Sequence, residues 1–150
     1  MKIITIPEFE NRLRQKSKKI DPALIMNPDM QKFFDELEHT MFKADGLGLA
    51  SPQVDNPIQA VAVNIEGTAH IFINPEISKK SWFKNVAEEG CLSIPGRYGN
   101  VKRHKWINLN YLDRHGKKHS EKFSALTARI LQHEIDHLRG ILFIDKLVKQ

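Results

Sequence analysis

Apolar residues between positions 30 and 42 recur at three- and four-residue steps, which places them on one face of an α-helix. They are Met30, Phe33, Phe34, Leu37, Met41 and Phe42. Asn27 can cap this helix, Pro28 suits its first position, and Asp45-Gly46 stops it. The pattern predicts a helix whose aromatic and methionine stripe belongs to the core. Before it, we expect a short extended piece from Lys2 to Ile6 and an irregular polar segment.

β-Branched residues dominate the stretch from Ile58 to Ile65, which is typical of a buried strand. A turn at Glu66-Gly67-Thr68 follows, and the segment from His70 to Asn74 is predicted as its hairpin partner. Residues 75–100 have weak periodicity and several turn residues. They predict short strands and loops.

A second hairpin is predicted near the C-terminus. Ile107, Leu109 and Tyr111 alternate with polar residues, and a turn at 113–116 leads into a polar-faced strand from Lys117 to Phe123. The last helix should begin near Ser124 as its cap and end at Gly140. The apolar face of this helix leads to two histidines; the residues on it are Leu126, Ile130, His133 and His137. Strands in the middle with a helix at each end predict an α+β fold.

The chain has 150 residues, a length that suits a single domain over 1–150 with its own core. Its hydrophobic and charged fractions, 41% and 27%, exclude the disordered and fibrous classes. We find no signal peptide and no apolar run long enough to cross a bilayer. The one cysteine, Cys91, suits a reducing compartment. We therefore expect a cytoplasmic protein without membrane contact, or one in the equivalent compartment of an organelle or an infected host cell.

The net charge of +5 raises the question of nucleic-acid binding. The basic residues are scattered, with short clusters at Lys79-Lys80, at 102–105 and at Lys117-Lys118. None of them indicates a base-stacking platform with interleaved aromatics. We expect no specific nucleic-acid partner, only a weak general attraction to polyanions such as the ribosome.

The most informative stretch is Gln132-His133-Glu134-Ile135-Asp136-His137. Two histidines four residues apart leave the same face of a helix, so both can bind one metal ion. Glu134 stands beside them, where it can take a proton from metal-activated water. The alternative is an amphipathic helix with hydrogen-bonded histidines, and the motif favours the metal.

The third metal ligand should come from upstream. In the extended protease motif a third histidine follows six residues after the second, but Phe143 stands there in this chain. Cys91, in the sequence Glu88-Glu89-Gly90-Cys91-Leu92-Ser93, would complete a Cys-His-His set and leave a fourth position for water. A structural role for a buried cysteine is the alternative.

The stretch from Gly46 to Gln53 has two glycines and small residues that let backbone pass close to another group. By itself it is typical of a loop after a helix, and it lacks the third glycine of a dinucleotide site. The Gln53 amide could donate to a developing oxyanion at a metal site.

Together, three motifs resemble the signature of peptide deformylases: GLGLASPQ, EGCLS and QHEIDH, in the family's order. The resemblance runs from about Pro7 to Leu147 and implies antiparallel and mixed sheets around a central C-terminal helix. It also implies that Cys91, His133 and His137 hold one divalent metal. The family uses Fe²⁺, and Zn²⁺, Ni²⁺ or Co²⁺ can occupy its site.

The resemblance further implies the roles of residues around the metal. Glu134 would be the general acid and base, and the Gln53 amide and the Leu92 backbone N–H would steady the oxyanion. Gly48 would lie along the substrate backbone. Glu89 and Arg103 match positions that pair electrostatically and would brace the cysteine loop.

Two features depart from the family pattern. Ser51 replaces the usual second alanine of the first motif, which adds a hydroxyl near the site. The chain also stops at Gln150, where many bacterial members continue into a long C-terminal helix, so we expect a short form of the family. The resemblance therefore does not by itself imply a ribosome contact made through that helix. We also expect a monomer.

The expected reaction is hydrolysis of the N-formyl group of formyl-methionyl nascent peptides, which releases formate. Leu47, Leu126 and Ile130 neighbour the site on its loop and helix, and we expect them to line the methionine pocket. Two other functions are possible from the residues. A zinc endopeptidase would use the same helix, but this chain lacks the downstream third ligand of that motif. A metal-stabilised RNA-binding or ribosome-binding module would not need Glu134.

Overall fold

Seven strands lie between two long helices in the computed structural model, which describes residues 1–149. The helices are α1 (Glu10–Leu13), α2 (Pro28–Lys43) and α3 (Ala125–Leu138). The strands are β1 (Gly48–Ala50), β2 (Ala60–Ile65), β3 (Thr68–Lys80), β4 (Lys84–Cys91), β5 (Ile94–His104), β6 (Trp106–Leu112) and β7 (Lys118–Ser124). This architecture confirms the predicted α+β class.

The strands form two antiparallel sheets. The larger has the order β1-β2-β3-β6-β7, and β4 and β5 form a separate hairpin. Both predicted hairpins of the larger sheet are present, with Val61 opposite Phe72 in one and Leu109 opposite Glu121 in the other.

The larger sheet is covered on both faces, and β2 shows why. Val61 and Val63 pack in the cluster that contains the apolar side chains of α3, whereas Ala60 and Ala62 pack in the cluster of α2. Because successive side chains of a strand point to opposite faces, the alternation of valine and alanine serves both helices. All residues of α3 from Ala128 to Leu138 are buried. The helix with the two histidines therefore runs through the middle of the molecule.

The ends of the helices largely follow the predicted signals. The Asn27 side chain caps α2 by accepting a hydrogen bond from the Asp29 N–H at 2.9 Å. Ser124 occupies the predicted cap position of α3, but its hydroxyl makes no capping bond. The Ala125 N–H bonds the Lys105 carbonyl at 3.1 Å, so backbone contact fixes this helix start.

The prediction of short strands and loops for residues 75–100 was wrong about the length of the strands. Strand β3 continues to Lys80, and β4 and β5 form a long hairpin rather than short strands. The register shifts twice where β3 meets β6, which interrupts the alternation of buried and exposed side chains. The hairpin is solvated over much of its length, so its sequence has little apolar periodicity to detect. The four-residue helix α1 was not predicted either.

The N-terminal segment, predicted to be extended from Lys2 to Ile6, belongs to neither sheet and bonds directly to segments near the histidine helix. The Ile4 N–H donates to the Gln53 carbonyl at 2.8 Å and the Ile6 N–H to the Ser93 carbonyl at 3.0 Å. Within residues 1–149, no helix has the length and apolar character needed to span a membrane.

The close packing of Gly140 against Arg14, just after the C-terminal end of α3, can be tested by substitution. The φ of Gly140 is +74°, and a Cβ there would lie 2.1 Å from the Arg14 carbonyl oxygen. We expect Gly140→Ala to lower the free energy of unfolding by about 3 kcal/mol or more, because left-handed strain and a backbone clash add. The measurement is urea unfolding.

Gly67→Ala is the matched control. Its φ is +86°, but nothing lies within 4 Å of an added Cβ. Only the strain remains, about 1–2 kcal/mol. Equal losses in the two variants would contradict the predicted clash.

Candidate metal centre

Three side chains that could bind one metal ion converge between β4 and α3. Cys91 ends β4, and His133 and His137 lie one turn apart on α3. One ligand atom from each lies within 4.8 Å of the others. The Cys91 Sγ and His137 Nε2 atoms are 3.3 Å apart, close to the roughly 3.5 Å expected for sulfur and nitrogen ligands of one tetrahedral ion.

Glu89 fixes the ring of His133. The His133 Nδ1 lies 2.8 Å from the Glu89 Oε1, which leaves Nε2 as the nitrogen for a metal. Burial lowers the pKa of His133, but the neighbouring Cys91 and Glu89 outweigh it and raise the pKa to about 10. Negative charge therefore surrounds this imidazole, and a bound cation could take the place of its proton.

Glu89 also accepts hydrogen bonds from two arginines. Arg103 donates to both of its oxygens, each at 2.9 Å, and Arg129 donates to Oε2 at 2.7 Å. Burial raises the pKa of Glu89, but the bonds from His133 and Arg103 lower it well below its usual range. Arg103 continues to the carboxylate of Asp136, one residue before His137. The predicted contact of Glu89 with Arg103 is thus one part of a larger buried network.

The chemistry of these groups fits a metal ion. Burial, followed by the nearby charge of His133, lowers the pKa of His137 well below its usual value, so this imidazole is neutral and can coordinate. Its buried Nδ1 has no hydrogen-bond partner among residues 1–149. A thiolate and two imidazoles are a borderline-soft set that suits Fe²⁺, Zn²⁺, Ni²⁺ or Co²⁺.

Glu134 is the carboxyl of the site whose environment suits proton transfer. It is only 4% exposed, burial raises its pKa to about 7, and its Oε2 has no hydrogen-bond partner in the described part of the chain. Gly48 makes room for it, since a Cβ at Gly48 would lie 2.7 Å from the Glu134 Oε1. A buried carboxyl with a pKa near neutrality is suited to both accepting and donating a proton.

Gln53 lies beside the cysteine with its amide oriented by the backbone. Its Oε1 accepts from the Ala50 N–H at 2.8 Å, so its Nε2 points towards Cys91 Sγ at 3.6 Å and Ser93 Oγ at 3.2 Å. The contact with sulfur is long, and this N–H is the one that an oxygen atom near the metal could receive. Ser51 does not enter the cleft; its hydroxyl donates to the Ala60 carbonyl at 2.9 Å.

A cleft of about 570 Å³ opens onto these groups. Each predicted pocket residue lines it: Leu47, Gly48, Leu126 and Ile130. Leu92 lines it from the turn between β4 and β5. Leu47 and Leu126 are about half exposed, which makes them an apolar surface open to a ligand.

The residues of the site that sequence reasoning missed include two arginines and one tyrosine. Arg129 braces Glu89 from α3, and no motif marks it. Arg97 and Tyr98 line the cleft from β5, and Tyr98 packs over Gly90 in the paired strand. Only the register of the β4–β5 hairpin brings them there. The glycine of the EGCLS motif was the one available signal.

Known proteins share both the sequence and the fold. The family model described as polypeptide deformylase matches residues 1–150. A peptide deformylase from Pseudothermotoga lettingae is 41% identical over 89% of this chain and 75% of its own length. The crystal structure of peptide deformylase from Thermotoga maritima superposes with a TM-score of 0.92 at 32% identity, covering 99% of this chain and 97% of the other.

A further solved structure carries a ligand. It is the Met-Ala-Ser-bound class I type b peptide deformylase from Acinetobacter baumannii, with a TM-score of 0.93 at 29% identity and 98% coverage of both chains. Sequence and fold agree over nearly the whole length. The chain therefore belongs to the peptide deformylase family, metal-dependent hydrolases that remove the formyl group from N-terminal formyl-methionine.

Proposed function

We propose that this chain deformylates formyl-methionyl peptides at one divalent metal ion held by Cys91, His133 and His137. The observation that carries the proposal is the convergence of these three ligand atoms beside a buried carboxyl in an open cleft. Fe²⁺ is the proposed physiological ion, with Zn²⁺, Ni²⁺ or Co²⁺ as substitutes, because the sulfur and nitrogen donors suit all four. When bound, such an ion lowers the pKa of water and polarises the formyl carbonyl.

Glu134 moves the proton in the proposed reaction. It accepts a proton from the attacking water, and the water oxygen adds to the formyl carbon. When the C–N bond breaks, Glu134 delivers that proton to the leaving amine, so the products are formate and a free N-terminus. Its buried setting and raised pKa support both roles.

Gln53 and Leu92 are proposed to stabilise charge on the formyl oxygen. The Gln53 Nε2 already lies 3.6 Å from the Cys91 Sγ, within reach of an oxygen beside the metal ligands. The Leu92 backbone N–H lies next in the chain to Cys91. Fixed donors of this kind lower the barrier because they need no reorganisation as the charge develops.

The cleft supports a peptide substrate with an apolar first residue. Leu47, Leu126 and Ile130 are proposed to contact the methionine side chain, and Gly48 to lie along the peptide backbone. The volume of about 570 Å³ suits a short peptide segment. Met-Ala-Ser bound to the relative from Acinetobacter baumannii supports this choice.

The test of the reaction is formate release from formyl-Met-Ala-Ser, with acetyl-Met-Ala-Ser as the substrate control. We expect Glu134→Gln to lower kcat by about 10²–10⁴-fold with unchanged metal content, because the amide cannot accept the proton. Glu36→Gln, on the exposed side of α2, is the matched variant and should keep full activity. Full activity in Glu134→Gln would remove the acid–base assignment, and cleavage of internal peptide bonds would indicate an endopeptidase.

The metal assignment predicts a separate loss. Cys91→Ser replaces the soft ligand by a hydroxyl, so we expect metal affinity to fall by about a hundredfold or more. Elemental analysis after dialysis against a graded chelator measures it. Ser93→Ala, two residues away, is the control. Unchanged metal content in Cys91→Ser would mean that another residue is the third ligand.

Glu89 should act on the metal through His133. Glu89→Gln keeps the shape but removes the charge that orients His133, so we expect metal affinity to fall about 10–100-fold. Glu88→Gln, one residue earlier on the same strand and exposed, is the control. Chelator competition measures affinity and urea unfolding measures stability. A variant that loses stability but keeps its metal affinity would show that Glu89 is only structural.

A further inference from the structure

Two large aromatic side chains project into solvent between β3 and β4. Trp82 is 91% exposed and Phe83 is 71% exposed. By contrast, Phe34 and Phe72 are fully buried in the two main clusters. Paired exposed aromatics of this kind often mark a surface that binds a partner.

The turn that carries them is held by hydrogen bonds rather than left loose. The buried Ser81 donates its hydroxyl to the Phe83 carbonyl at 2.6 Å and accepts the Lys105 N–H at 2.8 Å. The Ser81 carbonyl lies 2.8 Å from the His104 Nδ1. The fold therefore fixes the backbone beneath two side chains that it does not bury.

A basic pocket adjoins this turn. It measures about 210 Å³ and is lined from α3 by Gln132 and Asp136, which do not line the metal cleft. The cationic residues around it are Lys79, Lys80, Arg103, Arg139 and Lys146. Arg103 and Lys146 pair with Asp136. In the part of the chain that the structure describes, Lys79, Lys80 and Arg139 form no ion pair and are exposed.

The positive charge continues on the far side of the aromatics. Lys84 follows Phe83 directly, and the Lys105 Nζ lies 5.9 Å from the centre of the Phe83 ring. The Lys122 Nζ lies 4.6 Å from the Trp106 ring in the same part of the molecule. Exposed aromatic faces thus stand within a band of cations.

We propose that this surface, Lys79, Lys80, Trp82, Phe83 and Arg139, binds single-stranded RNA without sequence preference. Phosphates would contact the lysines and Arg139 at the pocket, and unpaired bases would stack on Trp82 and Phe83. From the sequence we expected no platform of aromatics among the basic residues, but Trp82 and Phe83 stand between Lys80 and Lys84. A concave pocket with polar walls beside the aromatics favours RNA over a flat anionic bilayer.

The experiment measures binding of the metal-loaded full chain to a fluorescein-labelled single-stranded RNA of about twelve nucleotides. Fluorescence anisotropy is followed between about 50 and 200 mM salt. We expect the pair Trp82→Ala with Phe83→Ala to weaken binding about tenfold or more, and Trp82→Phe to retain most of it. Formate release and circular dichroism show that each variant is folded.

The lysines are tested through the salt dependence. Lys79→Ala with Lys80→Ala should reduce the slope of log affinity against log salt by about 1.4, since each phosphate contact on a single strand contributes about 0.7. The matched control is Lys117→Ala with Lys118→Ala, which removes the same charge beside the turn at the other end of the β3–β6 pair. In this control variant the slope of log affinity against log salt should change much less.

Three results would overturn the proposal. The first is absence of RNA binding by the unmodified chain at the lowest salt; if the chain then binds phosphatidylserine–phosphatidylcholine vesicles, the surface is assigned to a membrane. The second is unchanged affinity in the aromatic variant. The third is an equal change of slope in both lysine pairs, which would indicate diffuse attraction to a basic protein.

Discussion

The candidate metal centre depends on one buried carboxylate. Glu89 accepts hydrogen bonds from two atoms of Arg103 and one of Arg129, and it lies against the Nδ1 of His133. It therefore ties β4, β5 and α3 together at one point. A buried carboxylate is tolerated only when it is paired and hydrogen-bonded, so the position of each partner is strongly constrained. Cys91 follows Glu89 by two residues on the same strand, so the contacts that satisfy Glu89 also set the cysteine against the two histidines.

The second constraint is that α3 is surrounded by protein. A helix in the interior offers rigid positions for ligands, but its polar side chains must find partners there. Gln132 bonds the backbone of His104, Asp136 pairs with Arg103, and His133 meets Glu89. Glu134 and His137 differ, because the Glu134 Oε2 and the His137 Nδ1 are unpaired within residues 1–149. Of the two, only Glu134 lines the cleft, where it lies beside Gly48. The group with an unpaired buried oxygen is the one proposed to exchange a proton.

Local sequence patterns predicted much of the fold and of the candidate metal centre. The helix from Pro28 and the spacing of His133 and His137 depend on neighbours within a turn or two, so periodicity and motif reveal them. Cys91 was predicted as the third metal ligand because the downstream histidine is absent, and the family resemblance supported this prediction. Arg129 could not be found, since its partner Glu89 is forty residues away and belongs to a hairpin whose sequence has little apolar period. The exposed aromatics escaped notice because composition does not tell which side chains the fold leaves outside.

The proposed RNA surface and the metal cleft are lined by different residues of α3, yet a network of buried charges connects them. Asp136 lines the basic pocket and pairs with Arg103, which in turn holds Glu89 and, through it, His133. Arg103 is only 3% exposed and already committed to two carboxylates. An incoming phosphate would instead meet Lys79, Lys80 and Arg139, which lie outside that network. Because the exposed cations are separate from the buried ones, an anion bound at the proposed surface would not withdraw charge from His133.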